Sequence, residues 1–388
     1  MARTTGRYMT STVAGESVRA FVPYPLPPAR PALRIGGPLA ELHASALAAL
    51  GKLSVAGAMV PSVDWFLYGF VRKEAVVSSQ IEGTQASLLD VLSYEATDAT
   101  DRPADVEEVC NYVEAISVAR VELRKPKGLP LCTRLLCLAH ERLMHGTRGG
   151  DKTPGELRRS QNWIGGRRPG VARFVPPPPE EVPGALAELE RWIHADDPLP
   201  PLVRAALAHV QFETIHPFLD GNGRIGRLLV SLLLEHWGLL SQPILYLSLS
   251  FKRRRADYYR FLDAVRTEGD WEGWTSYFLE CVLATADDGV ESARKLHSLL
   301  GDDRRRLLAH AQASLPALRL FDLLPEHPMV TLPRTVELLE TSKPTAAKAI
   351  ETLRKTGILT ETTGRQRNRV YAYRRYLDVL TEGTATGR

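Results

Sequence analysis

The stretch HPFLDGNGRIGR, residues 216 to 227, separates two apolar blocks, Leu202 to Ile215 and Ile225 to His236. Both blocks repeat apolar residues at helical spacing, so the stretch connects two helices. Gly221 and Gly223 let its backbone turn tightly and come close to a ligand. The second helix starts there, with Ile225, Leu228, Leu229 and Leu232 on its buried face. The unpaired N–H groups of a helix start favour an anion such as phosphate. Arg224 and Arg227 stand three apart on the first turn, so both can face the loop and grip phosphate oxygens. Asp220 adds a hard oxygen ligand beside them, and Mg²⁺ is usually held by one carboxylate together with a nucleotide. His216, at the other end of the loop, is a base that titrates near neutral pH.

The rest of the chain sets the frame for that loop. A length of 388 residues gives a prior of roughly two to three domains at about 150 residues each. Hydrophobic residues at 44% and charged residues at 24% match ordinary globular usage, which excludes a disordered or fibrous chain. No apolar run reaches the ~18 residues of a membrane span, and the opening segment has no apolar core of a secretion signal. The expectation is a cytoplasmic protein with no membrane contact. Cys110, Cys132, Cys137 and Cys281 form no Cys-x-x-Cys pair and sit in apolar stretches, which reads as buried free thiols. The net charge is +4, but Ser342 to Arg388 holds 10 Lys and Arg against 4 Asp and Glu, a local +6 that leaves −2 elsewhere. Nucleic-acid contact is therefore permitted to the last segment and disfavoured for the body.

Residues 20 to 37 are rich in proline and glycine and read as an extended arm. Helical spacing fills Leu39 to Leu143, with stops at Gly83 and around Pro126 to Pro130. Trp163-Ile164-Gly165-Gly166 and Arg173-Phe174-Val175 bracket a Gly/Arg/Pro turn and predict a β-hairpin flap, ended by Pro176 to Pro179. Helix returns from Tyr258 to about Leu300, and the run GDDRRR, 301 to 306, reads as a solvated helix start in a connector. After Pro328 a short helix, Arg334 to Leu339, leads to a second one capped by Ser342 with Pro344 near its first turn. Ala346, Ile350 and Leu353 share a face of that helix, Gly357 stops it, and Val370 to Tyr373 alternates as a strand. This order predicts a winged helix-turn-helix.

The 216–227 stretch resembles the signature of the Fic family, HPFx(D/E)GNGRxxR, at every specified position. The resemblance implies a mainly α fold: a Fic-fold helical bundle with a β-hairpin flap and a small C-terminal winged helix-turn-helix. It divides the chain into an extended N-terminal arm (1–38), an N-terminal helical region with an inhibitory helix (39–125), a Fic catalytic core (126–300), a helical connector (301–325) and the winged helix (326–388). It implies transfer of AMP from ATP to a Ser, Thr or Tyr hydroxyl of a target protein or of the chain itself, with pyrophosphate released. His216 would deprotonate the hydroxyl, and Gly221, Asn222 and Gly223 would hold the α-phosphate. Asp220 would hold Mg²⁺, Arg224 the β-phosphate and Arg227 the γ-phosphate, while Phe218 would anchor the loop in the core. SQNWIGG (160–166) and FVPPPPEEV (174–182) look like the family's flap, and Tyr258, with Tyr259, like its tyrosines beside adenine.

Upstream, Ser78-Ser79-Gln80-Ile81-Glu82-Gly83 matches the family's inhibitory motif (S/T)xxxE(G/N). Ser78 and Glu82, four apart, share a helix face, and Gly83 supplies the stop. By resemblance Glu82 pairs with Arg227 and denies the γ-phosphate its place. Two other readings stand beside this one. The winged helix could serve DNA, through Lys343, Lys348, Lys355, Arg365, Arg367 and Arg369, or dock a protein, with the Fic core a sensor. The same site could also remove AMP hydrolytically. A homodimer is left open.

Overall fold

Every residue from Leu202 to Ile215 is buried, so the first of the two blocks is a helix enclosed on all sides. The computed structural model describes residues 3–29, 31–59, 63–97, 103–147, 149–365 and 367–384. Within these, two strands open the chain, β1 (Gly6–Val13) and β2 (Glu16–Pro23). Helices α1 (Pro38–Met59), α2 (Val63–Ile81), α3 (Leu88–Thr97), α4 (Ala104–Arg124) and α5 (Thr133–Leu143) follow. After the flap come α6 (Val182–His194), α7 (Pro201–Ile215), α8 (Asn222–His236), α9 (Ser248–Arg253), α10 (Arg255–Glu268) and α11 (Trp271–Leu308). The chain ends in α12 (Leu315–Leu323), β3 (Met329–Thr331), α13 (Leu332–Leu339), α14 (Lys343–Lys355), β4 (Thr360–Glu361), β5 (Val370–Ala372) and α15 (Arg374–Leu380). Among the described residues, no helix is long and apolar enough to cross a membrane.

The contacts group into two units, each discontinuous in sequence. The first gathers Met1–Gly51, Asn111–Pro243 and Ser250–Thr285. In it α7 packs against α6, α8 and α10. Gly226 permits the close approach of α7 and α8, since a Cβ there would lie 2.3 Å from Glu213 Oε1 and 3.2 Å from the Phe212 ring. Arg204 of α7 donates to the carbonyls of Trp192, Ile193 and Ala195, closing the exposed end of α6.

Three expectations change. The N-terminal arm is not simply extended: β1 and β2 pair antiparallel through an Ala14-Gly15 turn with positive φ at both residues, the geometry that matches strand twist. The flap, in contrast, is held by one antiparallel bridge, Ile164 to Phe174, rather than a ladder. Pro176 to Pro179 have no N–H to extend it. The hairpin takes the next place: Phe21 N–H donates to Val175 O at 2.9 Å, and Val13, Val18 and Ala20 bury against Val175, with Trp163 packed on them. The expected Tyr258–Leu300 helix is also two helices, parted at Gly269 with φ +71°.

The second unit gathers Lys52–Cys110, Ile244–Leu249 and Ala286–Arg388. Its three-stranded antiparallel sheet has β5 in the centre, in the order β3-β5-β4, and α13 and α14 form the helix-turn-helix beside it. Ala346, Ala349, Ile350 and Leu353 of α14 face inward. Here α15 comes so close to α2 that a Cβ on Gly69 would lie 2.8 Å from Leu380. GDDRRR is not a solvated helix start but belongs to the last turns of α11. Asp303 in it is fully buried, accepting from Tyr373 Oη and Arg375 Nη1 at 2.7 Å each and pairing with Arg306. Its charge is spent inside the unit. Cys110, Cys132 and Cys281 are buried free thiols, whereas Cys137 is only half-buried.

Candidate functional site

The loop 216–221 is built by capturing its carbonyl oxygens. His216 caps α7 in the left-handed region, φ 51° and ψ 62°, with its N–H on Phe212 O at 2.9 Å. That conformation costs a non-glycine residue roughly 1–2 kcal/mol. Arg158, 2% exposed, offsets it. Its Nε donates to His216 O at 2.8 Å, its Nη2 to Pro177 O at 2.5 Å and Ile215 O at 3.4 Å, and its own N–H to Pro217 O at 2.9 Å. Burial pulls the guanidinium pKa down to about 10, against the pull of Glu180, so it keeps its charge at neutral pH.

Three further side chains continue the series. Asn222 Nδ2 donates to Phe218 O at 2.7 Å while its Oδ1 accepts from Phe218 N–H at 2.8 Å. Asn162 Nδ2 donates to Leu219 O at 3.2 Å. His140 Nδ1 accepts from Gly155 N–H at 2.9 Å, which leaves Nε2 protonated and donating to Asp220 O at 3.1 Å. The His140 ring also stacks on Phe218, with centroids 3.8 Å apart and planes 6° apart. Burial first, then the nearby Arg224 charge, lower its pKa to about 4, so it is neutral. Phe218 is thus the loop's anchor in the core.

At the far end Gly221 caps α8 with φ +75°, and a Cβ there would meet Met144 Sδ at 2.9 Å and the His140 ring at 3.4 Å. A positive φ and a close approach together require glycine. The first-turn N–H groups of α8, from Asn222 to Arg224, open at this end. Arg224 and Arg227 are both buried, at 4% and 3% exposure. Beneath them His209 is kept neutral, its pKa lowered to about 3 by burial first and by Arg227. His209 Nδ1 donates to Gly226 O at 3.0 Å and Nε2 accepts from Tyr258 Oη at 2.9 Å. Neither His140 nor His209 therefore adds a positive charge beside the arginines.

His216, Asp220, Gly221, Asn222, Gly223, Arg224 and Arg227 all lie on this one loop and helix start. Two expectations are corrected. The Asn222 side chain is committed to the Phe218 peptide, so what it can offer an anion is its backbone N–H. Tyr258 is a core residue, 2% exposed and stacked on Phe251 at 4.7 Å, while its half-buried neighbour Tyr259 keeps part of its ring at the surface. Ser78 and Glu82 belong to the second unit. Ser78 is fully buried; α2 ends at Ile81, and Glu82 is exposed in the following turn, its N–H on Ser79 O at 3.0 Å. The clamps Arg158, Asn162, His140 and His209 were not expected, and no motif spacing marks them.

Asp220 is exposed at the loop tip, with Oδ1 accepting the Gly221 N–H at 2.6 Å. Among the described residues, no group of three His, Cys, Asp or Glu could hold a metal alone. A single exposed carboxylate beside an anion site fits Mg²⁺ shared with nucleotide phosphates.

Residues 130–234 match the Fic/DOC family and residues 40–120 the Fic/DOC family N-terminal region. The protein adenylyltransferase Fic of Drosophila erecta is 32% identical over 178 residues, 45% of this chain and 31% of that one. Its counterpart in Drosophila grimshawi is 33% identical over 178 residues, 45% of this chain and 32% of that one. The chain thus spans about a third of the length of these curated relatives. In fold it is similar to a Fic family protein from Desulfovibrio desulfuricans G20, with TM-score 0.58 and 21% identity over 88% of this chain and 97% of that one. A Fic domain containing signaling protein from Bacteroides thetaiotaomicron gives TM-score 0.52 and 19% identity over 64% of this chain and 97% of that one.

Proposed function

We propose that the chain is a Fic/DOC family protein, on the match of residues 130–234 and 40–120 to that family, and that it transfers AMP from ATP to a Ser, Thr or Tyr hydroxyl of a protein, itself included. The observation that carries this is the junction of a left-handed His216 with an α8 N-terminus backed by buried Arg224 and Arg227. His216 takes the hydroxyl proton; the hydroxyl oxygen bonds to the α-phosphorus as the bond from that phosphorus to the pyrophosphate oxygen breaks. The N–H groups of Asn222 and Gly223 hold the α-phosphate oxygens, and Arg224 and Arg227 hold the β- and γ-phosphates. Asp220 would hold Mg²⁺, which would neutralise charge on the leaving pyrophosphate.

Ser78 and Glu82 are the brake in this reading, Glu82 acting by pairing with Arg227 in place of the γ-phosphate. Free thiols support a cytoplasmic setting. The solvent side of α14 carries exposed Lys343, Lys348, Arg354 and Lys355, which favours duplex DNA as an additional partner of the winged helix. The test of the main reading is intact mass after incubation with ATP and Mg²⁺. The expected result is an added AMP mass on the chain or on a lysate protein, absent with His216→Ala, whose ATP affinity stays within about threefold of the parent because the base acts on the nucleophile. A His216→Ala protein that still transfers AMP defeats the assignment.

A further inference from the structure

A cavity of about 480 Å³ lies within the first unit, between the N-terminal hairpin, the flap and α10. Part of its wall is apolar: Val18 and Phe21 from β2, Phe174 and Val175 from the flap. Its charged lining is three arginines, Arg19, Arg173 and Arg266, against one carboxylate, Asp263, a local +2. Arg266 is pinned, its guanidinium paired with Asp263 and 3.9 Å above the Phe174 ring. Arg173 also pairs with Asp263 but keeps 60% of its side chain exposed. Arg19 stacks 4.3 Å above the Tyr8 ring on the exposed face of the hairpin. A carboxylate entering the cavity would meet Arg19 and Arg173 while its methylenes lay on valine and phenylalanine. Cavities of 300–1,000 Å³ with an apolar wall and few charged groups are the usual form of a specific site, and charge-assisted bonds to guanidinium are the strong ones.

The position of the cavity decides what carries that carboxylate. Phe174 is three residues from Pro177, at most about 10 Å of extended chain. Pro177 O and His216 O are bonded to the same Arg158 guanidinium. The Phe174 wall of the cavity therefore lies within about 15 Å of the His216 backbone, no more than about five residues of an extended peptide at ~3.3 Å each. The hairpin is fixed to the flap here, with Phe21 N–H on Val175 O, so the two elements line the cavity together.

We propose that this cavity receives an acidic side chain of the protein target, within about five residues of the modified hydroxyl, and that the N-terminal hairpin is the element that selects for it. The inference rests on the AMP-transfer reading for its role, though not for the binding itself. The experiment uses the full chain and fluorescein-labelled 15-residue peptides with a central Ser, Thr or Tyr and a single Glu moved from six residues before it to six after. Two quantities are measured, AMP incorporation from ATP and peptide binding by fluorescence anisotropy. Glu at one position within five residues on one side is expected to improve kcat/KM at least tenfold over Gln, and Arg19→Glu with Arg173→Glu to shift the preference to Lys at that position. Both arginines are exposed, so the variants should melt like the parent; Arg19→Gln with Arg173→Gln should merely erase the preference. A response independent of Glu position, or unmoved by charge reversal, overturns the proposal. If neither peptide nor chain takes up AMP, the transfer reading fails. Anisotropy then still decides the pocket, since equal affinity for the Glu and Lys peptides overturns it and tenfold tighter Glu binding upholds it.

Discussion

Arg158→Met removes the donors that hold His216 while keeping most of the buried volume. The structure sets the size of the effect. Two close charged hydrogen bonds, to His216 O and Pro177 O, vanish and leave one half-buried and one buried carbonyl without these donors. Each such loss costs roughly 1–3 kcal/mol, so stability should fall by about 3–5 kcal/mol in urea melts. The left-handed His216, no longer compensated for its roughly 1–2 kcal/mol of strain, relaxes toward an ordinary conformation. Moving a base by about 1 Å is enough to cost on the order of a hundredfold in rate. The end of the loop proposed to hold phosphate has its own clamps, Asn222 and His140, so KM for ATP should stay within about threefold. Steady-state AMP incorporation against ATP concentration separates the two. Arg158→Lys, a point charge that cannot bridge several carbonyls, should recover part of the stability and little of the rate. A folded Arg158→Met protein with kcat within threefold of the parent would refute the reasoning. A matched loss of ATP affinity would show that Arg158 holds the whole loop rather than its histidine end.

Stability should fall with acid because His140 is buried neutral. Above pH 6.5 both states hold it neutral; between 6.5 and about 4 the unfolded chain takes a proton that the folded chain refuses, a loss of about 3 kcal/mol once complete. Urea melts from pH 7.5 to 5 should show that slope, flattened in His140→Gln; an equal slope in the variant sinks the assignment. Glu82→Gly should raise AMP incorporation, and adding Arg227→Ala should abolish the gain, a coupling that a mutant cycle isolates. A Glu82→Gly rate at or below the parent refutes the brake. Asp303→Ala, stripping Tyr373, Arg375 and Arg306 of their buried acceptor, should cost about 3–5 kcal/mol of stability by urea melt, and a change under about 0.5 kcal/mol would contradict its burial.

What the sequence made legible was local. The loop's glycines, the start of α8, the anchoring Phe218 and the stop at Gly83 all follow from neighbours within one or two helical turns. The clamps do not: Arg158 lies 58 positions from His216, and His140 lies 80 from Asp220. Spacing reports which residues share a helix face and says nothing of which arginine in a polar stretch ends beneath a loop. Asp303 failed for a related reason, since a charged run looks the same whether it faces water or a buried tyrosine. The N-terminal hairpin was hidden by the prolines that follow it. In the flap those same residue types removed the N–H groups that a ladder would have used, and β2 supplied its donor from another part of the chain.

The capture of carbonyls also accounts for how a loop with no Lys or Arg of its own would serve as the proposed anion site. From Ile215 to Asp220, six consecutive carbonyl oxygens accept from Arg158, Asn222, Asn162 or His140. Gly221 O, the seventh, accepts from Ile225 N–H. The negative ends of these peptides are therefore turned into the protein, and the N–H groups at the start of α8 are left to face an incoming anion with two buried arginines behind them. Four separate side chains share the task, which is why loss of one donor should displace only the part of the loop it holds. The left-handed His216 at one end and the left-handed Gly221 at the other are the turns this arrangement demands. Only at the second does a neighbouring side chain leave no room for a Cβ, and there the chain carries glycine.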